Sequence, residues 1–130
     1  MKFDWEEYFN LAKELAGTTE EAKLRSAVSR AYYSAFCLAR NYLRDIQQDP
    51  RLSWHKTYDI NAHQYVAEKF IYNQSKSQTM IEIGQNLNRL RKMRNNADYE
   101  DTIFNNLQKE ASYALMLAEK IISALSKLTE

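Results

Sequence analysis

The sequence has almost nothing with which to make tight turns: among 130 residues there are two Gly and one Pro, against usual shares of about 7% and 5%. A sandwich or barrel of many short strands needs such residues at every reversal, so those architectures are excluded. The one cysteine, Cys37, can neither close an internal disulfide nor build a multi-thiolate metal site, and it fits a reducing compartment. No apolar run approaches the roughly 18 residues that cross a bilayer. The opening MKFDWEEYF is acidic where an export signal needs a basic start and an apolar stretch, so the expected location is the cytoplasm, with no membrane partner. An excess of either charge is also missing, because 18 Lys+Arg against 17 Asp+Glu leave a net charge of +1. No global field therefore selects nucleic acid or an acidic surface, and any basic site must be local. Glycine-rich phosphate loops, GxSxG elbows and EF-hand patterns are absent, and His55 and His63 fit no metal spacing. The sequence thus calls for no metal and no cofactor.

What is present is helix-forming material. With 45% hydrophobic and 12% aromatic residues, the chain can bury a core, and its length suits one domain over 1–130. Apolar residues at Trp5, Tyr8, Phe9, Ala12, Leu15 and Ala16 recur at three and four, predicting a helix from Phe3 to Ala16 that Gly17 stops. Thr18 or Thr19 is the expected N-cap of a second helix, with Glu20 and Glu21 in its first turn. That helix extends to about Ile46, with a seam of small residues at Ala27, Ala31, Ser34, Ala35 and Ala39 that invites close packing. A loop over Gln47–Thr57 holds the proline and a Trp54 anchor. Further helices are predicted over Tyr58–Asn73, from Gln78 to the Asn95–Asn96 pair, and over Thr102–Leu128, with NNADYED as a helix end and loop.

One residue breaks its pattern. The stripe Ile83, Leu87, Leu90 continues by four onto Arg94, a guanidinium where an apolar side chain is due. Such an arginine lies in a cleft, pairs with an acid such as Asp98, faces a second chain, or simply caps its own helix end. Arg89, Arg91, Lys92 and Arg94 crowd four cations into six positions. They suit phosphates, with Tyr99 placed to stack on a base, and they equally suit a solvated face. On the second helix Arg30, Tyr33, Cys37, Arg40 and Arg44 form a polar-aromatic stripe that reads as a groove, an interface or core. His63 reads as a helix-face residue, and Cys37 has no histidine at a local spacing to activate it.

Three segments taken together, SRAYYSAFCLARNYL, HQYVAEKF, and LNRLRKMRNNADYED followed by ASYALMLAEKII, resemble the HEPN domain family over roughly residues 20–125. The resemblance implies an all-α, up-and-down helical bundle of about five helices, often a homodimer, with Arg94 and Asn95 near a cleft between protomers. Many such proteins are metal-independent endoribonucleases whose site has an Arg, a polar residue after it and a His shortly beyond. Arg94 and Asn95 match, but with four, five or six intervening residues the histidine position falls on Tyr99, Glu100 or Asp101. A tyrosine of pKa about 10 is a poor base for a 2′-hydroxyl. The resemblance therefore implies an RNA- or nucleotide-associated module of toxin–antitoxin or defence type, non-catalytic or divergent. A minimal nucleotidyltransferase is the implied partner and RNA the implied ligand. Arg94, Asn95 and Tyr99 are the candidate catalytic residues, Arg89, Arg91 and Lys92 the candidate phosphate contacts, and Arg30, Tyr33 and Asp98 the cleft-building ones. An endoribonuclease using Arg94 and a helical interaction scaffold stand as alternatives.

Overall fold

The computed structural model describes residues 2–53, 60–103 and 105–130. They form five α-helices and no strand: α1 Glu6–Ala16, α2 Glu21–Asn41, α3 Ala62–Ile71, α4 Gln78–Tyr99 and α5 Leu107–Leu128. A π-helical turn, Tyr42–Ile46, prolongs α2, and a 3₁₀ turn, Pro50–Leu52, follows it.

The helix ends are set by short polar side chains. Asp4 accepts from the Glu6 amide ahead of α1, and Asn61, Ser77 and Asn106 cap α3, α4 and α5 by accepting from Gln64, Met80 and Lys109. The expected threonine cap of α2 is corrected: α2 starts after Glu20 without a side-chain cap, and the Thr18 hydroxyl instead donates to Leu15 O at the end of α1. Other boundaries also move: α1 starts at Glu6 rather than Phe3, and α3 ends at Ile71 rather than Asn73. α3 begins at Ala62, and α5 begins at Leu107 because Asn106 stops the backbone there. α4 passes through Asn95–Asn96 to Tyr99, since Ala97 is buried on its core face and Arg25 reaches over to hold the carbonyls of Ala97, Glu100 and Asp101. The Trp54 anchor lies outside the described residues.

α2 is the axle of the bundle and packs against α1, α3, α4 and α5. Its seam explains why: Ala27, Ala31, Ser34, Ala35 and Ala39 are all buried, and the Ser34 hydroxyl donates to Trp5 O at 2.8 Å, tying α1 to it. Larger side chains from the other helices fill the space, Val66 and Phe70 from α3, Ile83, Leu87 and Leu90 from α4, and Leu117 and Ile121 from α5, giving one contiguous core. At the α3–α4 contact Gly84 has no side chain for a spatial reason. A Cβ there would sit 2.6 Å from Ala67 O and from Ile71 Cγ1. The turn between these helices is knitted by Asn73, which accepts from the Ser77 amide and donates to Phe70 O and Ser77 O. No helix among the described residues is long and apolar enough to cross a membrane.

Candidate functional site

Arg94 does occupy the apolar stripe of α4 and is only 6% exposed. Its guanidinium carbon lies 5.2 Å from the centroid of the Tyr32 ring and 5.4 Å from that of Tyr33, so the cation rests against the faces of two adjacent α2 tyrosines. One turn on, Asp98 offers a carboxylate oxygen at 4.0 Å from Nη1, too long for a strong hydrogen bond. That same oxygen accepts from the Ser29 hydroxyl at 3.2 Å. The Nε of Arg94 is buried and has no hydrogen-bond partner, and neither has the buried Nε of Arg91, one turn earlier on the same face. A buried donor without an acceptor costs about 1–3 kcal/mol. Two such donors one turn apart on the same helix face, with a single loosely held carboxylate by Arg94, make a site short of negative charge.

The candidate residues separate by helical phase. Arg91, Arg94 and Asp98 share a face, whereas Arg89 lies about 140° around α4 from Arg94, bonds to Asn86 at 2.7 Å and lines a hollow of about 700 Å³ between α4 and α5. Lys92 and Asn95 are exposed. Tyr99 is 73% exposed, because five residues beyond Arg94 the helix has turned it off the core face. Tyr33 and Asp98 meet Arg94, but Arg30 does not: its guanidinium lies over the Tyr8 ring of α1 at 4.8 Å, and Arg40 similarly covers Trp5. The α2 stripe is thus divided between an α1 contact and the α4 site. Cys37 is buried, and that burial pushes its thiol up and keeps it protonated.

The member that sequence reasoning passed over is His63. It stands in the first turn of α3, and its Nδ1 is 2.6 Å from the Tyr32 hydroxyl. Its ring stacks on Phe36 with centroids 4.4 Å apart. Tyr32 is 1% exposed and has no other acceptor in reach among the described residues, so its hydroxyl donates and Nδ1 accepts. The imidazole then carries its proton on Nε2. Burial, followed by the nearby Arg91 and Arg94 charges, lowers its pKa from 6.5 to about 4, so it is neutral at pH 7. Burial also pushes the Tyr32 phenol well above its usual 10, against the pull of the same two arginines. The signal was in the sequence: His63, Val66, Ala67 and Phe70 stand at i, i+3, i+4 and i+7, one apolar stripe with a histidine at its head.

Chemically the cluster brings two α4 guanidiniums to the α2 tyrosines and the α3 imidazole, a cationic set suited to an anion. No three His, Cys, Asp or Glu side chains come together to hold a metal among the described residues. No curated protein and no solved structure matches the chain. The family model of the HEPN domain matches residues 6–128, nearly the whole length, and the chain belongs to that family.

Proposed function

We propose that this protein is an RNA- or nucleotide-associated HEPN module of toxin–antitoxin or defence type that binds phosphate at Arg91 and Arg94 and does not cleave. The observation that carries it is Arg94: a guanidinium buried to 6% exposure against two tyrosine faces, its Nε unpaired. A phosphate is the natural complement of two adjacent guanidiniums. Tyr99 and Asn95 are exposed on α4 off the Arg94 face, where a base or a second protomer can meet them. A homodimer with this end of α4 at its interface, and a minimal nucleotidyltransferase as its further partner, complete the proposal.

The metal-independent endoribonuclease alternative has one observation in its favour, an imidazole beside the arginines. As placed, however, burial and the Arg91 and Arg94 charges lower the His63 pKa to about 4, which makes it a weak base for a 2′-hydroxyl. Wild type and Arg94→Ala incubated with a mixed RNA pool in EDTA decide between them. Salt-sensitive retention of RNA by wild type, lost in Arg94→Ala and without new 5′-hydroxyl ends, is the expected result. New ends made by wild type alone establish cleavage. Intact RNA with no retained complex, from folded protein, points to an interaction scaffold.

A further inference from the structure

The site contains one imidazole beside its two cations. His63 is linked to Arg94 through a single residue, since the Tyr32 hydroxyl bonds to Nδ1 at 2.6 Å while the Tyr32 ring carries the Arg94 guanidinium at 5.2 Å. The charged and titratable groups around the imidazole are few. α2 contributes the phenols of Tyr32 and Tyr33, whose ring centroids are 5.6 and 6.1 Å from that of His63. α4 contributes Arg91 and Arg94, with Asp98 held at the far side of Arg94 by Ser29. On α3 itself the nearest acid, Glu68, is exposed and engaged by Gln64 at 2.9 Å. Among the described residues no carboxylate contacts the ring, so the two α4 cations face it with only Asp98, 4.0 Å from Arg94 Nη1, to offset them.

We infer that His63 is a third, proton-carrying member of the Arg91–Arg94 site, taking up one proton from solvent as a phosphodiester-class anion seats on the two guanidiniums. The inference rests on the proposal that those arginines bind phosphate. Its physical basis is reciprocity: the charges that disfavour an imidazolium are the ones an anion would neutralise, and the anion then favours it directly. The proton goes to Nδ1. The Tyr32 hydroxyl reverses, accepting from Nδ1–H at the same separation, and its own hydrogen becomes free to point at an oxygen of the anion. Without an anion the neutral imidazole adds no positive charge to the two arginines, and with one bound the site holds three cationic groups and a phenol donor. A ligand with one diester phosphate is thereby gripped more tightly as pH falls.

Calorimetric titration of the full chain with sulfate and with tetrauridylate tests this between pH 5.5 and 7.5, a range in which neither probe changes its own protonation. Two buffers of different ionisation enthalpy report the protons taken up, and the imidazole resonance of His63, identified by its loss in His63→Asn, reports where they go. The expected result is uptake approaching one proton per anion at the acid end. Affinity should weaken with rising pH by up to about tenfold per unit, and the His63 resonance should move to its imidazolium position on saturation. His63→Asn, whose amide oxygen still accepts from Tyr32, should bind with neither uptake nor pH dependence. Binding that Arg94→Ala abolishes but that brings no proton overturns the inference and leaves the phosphate site standing. Uptake that survives in His63→Asn assigns the proton elsewhere and also overturns it. Failure of both probes to bind at any pH overturns the inference and the phosphate site together.

Discussion

Lowering the pH should destabilise this protein in two separable stages, the first belonging to His63. Its pKa falls from 6.5 in the unfolded chain to about 4 in the folded one. Between these values the unfolded chain holds the extra proton, so stability is full above about 6.5 and drains away as pH drops toward 4. For a ring fully cut off from water, a pKa lowered that far corresponds to about 3.4 kcal/mol at about 1.36 kcal/mol per unit. The ring is only partly buried, and solvent screening brings the expected loss to about 2 kcal/mol. A second stage follows lower down, because hydrogen bonds from Arg44 and then Lys2 depress Asp45 from 3.8 to about 2; that contribution is present above about 3.8 and is lost only below it. Urea unfolding at pH 7.5, 6.5, 5.5 and 4.5 measures the first stage free of the second. His63→Asn keeps an acceptor for Tyr32 and removes the titrating ring, so its stability should stay nearly level where wild type loses about 2 kcal/mol. An equal slope in the two proteins would refute the assignment of a neutral, buried imidazole.

Three further substitutions have signs fixed by geometry. Gly84→Ala ordinarily strengthens a helix by about 1 kcal/mol, but here the new Cβ meets Ala67 O and Ile71 Cγ1 at 2.6 Å, so a net loss of about 2 kcal/mol is expected; urea midpoints at or above wild type would contradict the close α3–α4 approach. Arg25→Ala removes the donor to Ala97 O, Glu100 O and Asp101 O. It should cost about 1–3 kcal/mol and speed hydrogen exchange at the amides of 98–103, while unchanged exchange would show that the helix end holds without it. Asp98→Ala takes away the carboxylate that stands 4.0 Å from Arg94, lowering stability by about 1 kcal/mol while tightening anion binding. An unaltered melting temperature and dimerisation would show the pair to be idle.

The parts of the fold that periodicity governs were legible in the residues. A stripe at three and four places Leu87 and Leu90 in the core whatever surrounds them, and the same stripe singled out Arg94 because a cation interrupts it. Helix ends were less legible: the end of α1 at Gly17 and the start of α4 at Gln78 were read, but α3 and α5 start well past the expected Tyr58 and Thr102 even though Asn61 and Asn106 cap them. The α4 terminus could not be read locally, because the group that holds it, Arg25, comes from α2, more than seventy positions away. Helical phase separates Arg89 and Lys92 from Arg94, although a run of four cations looks like one patch when read as a string. His63 was missed for a related reason. The stripe it shares with Val66, Ala67 and Phe70 marks it as core-facing, but its partners Tyr32, Phe36, Arg91 and Arg94 lie on two other helices, and local spacing does not name neighbours brought in by tertiary packing.

The placing of Arg94 against two rings bears on the thermodynamics of whatever it binds. A free arginine side chain gives up about 2 kcal/mol of rotamer freedom when a ligand immobilises it. Here that freedom is already gone before any ligand arrives, because Tyr32 and Tyr33 lie along the guanidinium at 5.2 and 5.4 Å and leave it 6% exposed. The entropy was surrendered when the chain folded. An anion entering the site therefore meets a donor already aimed, and its association should carry a small entropic penalty and little dependence on temperature-driven side-chain ordering. The tyrosine pair of RAYYSAF makes the site stiff, and stiffness of this kind separates a receptor from a sticky surface.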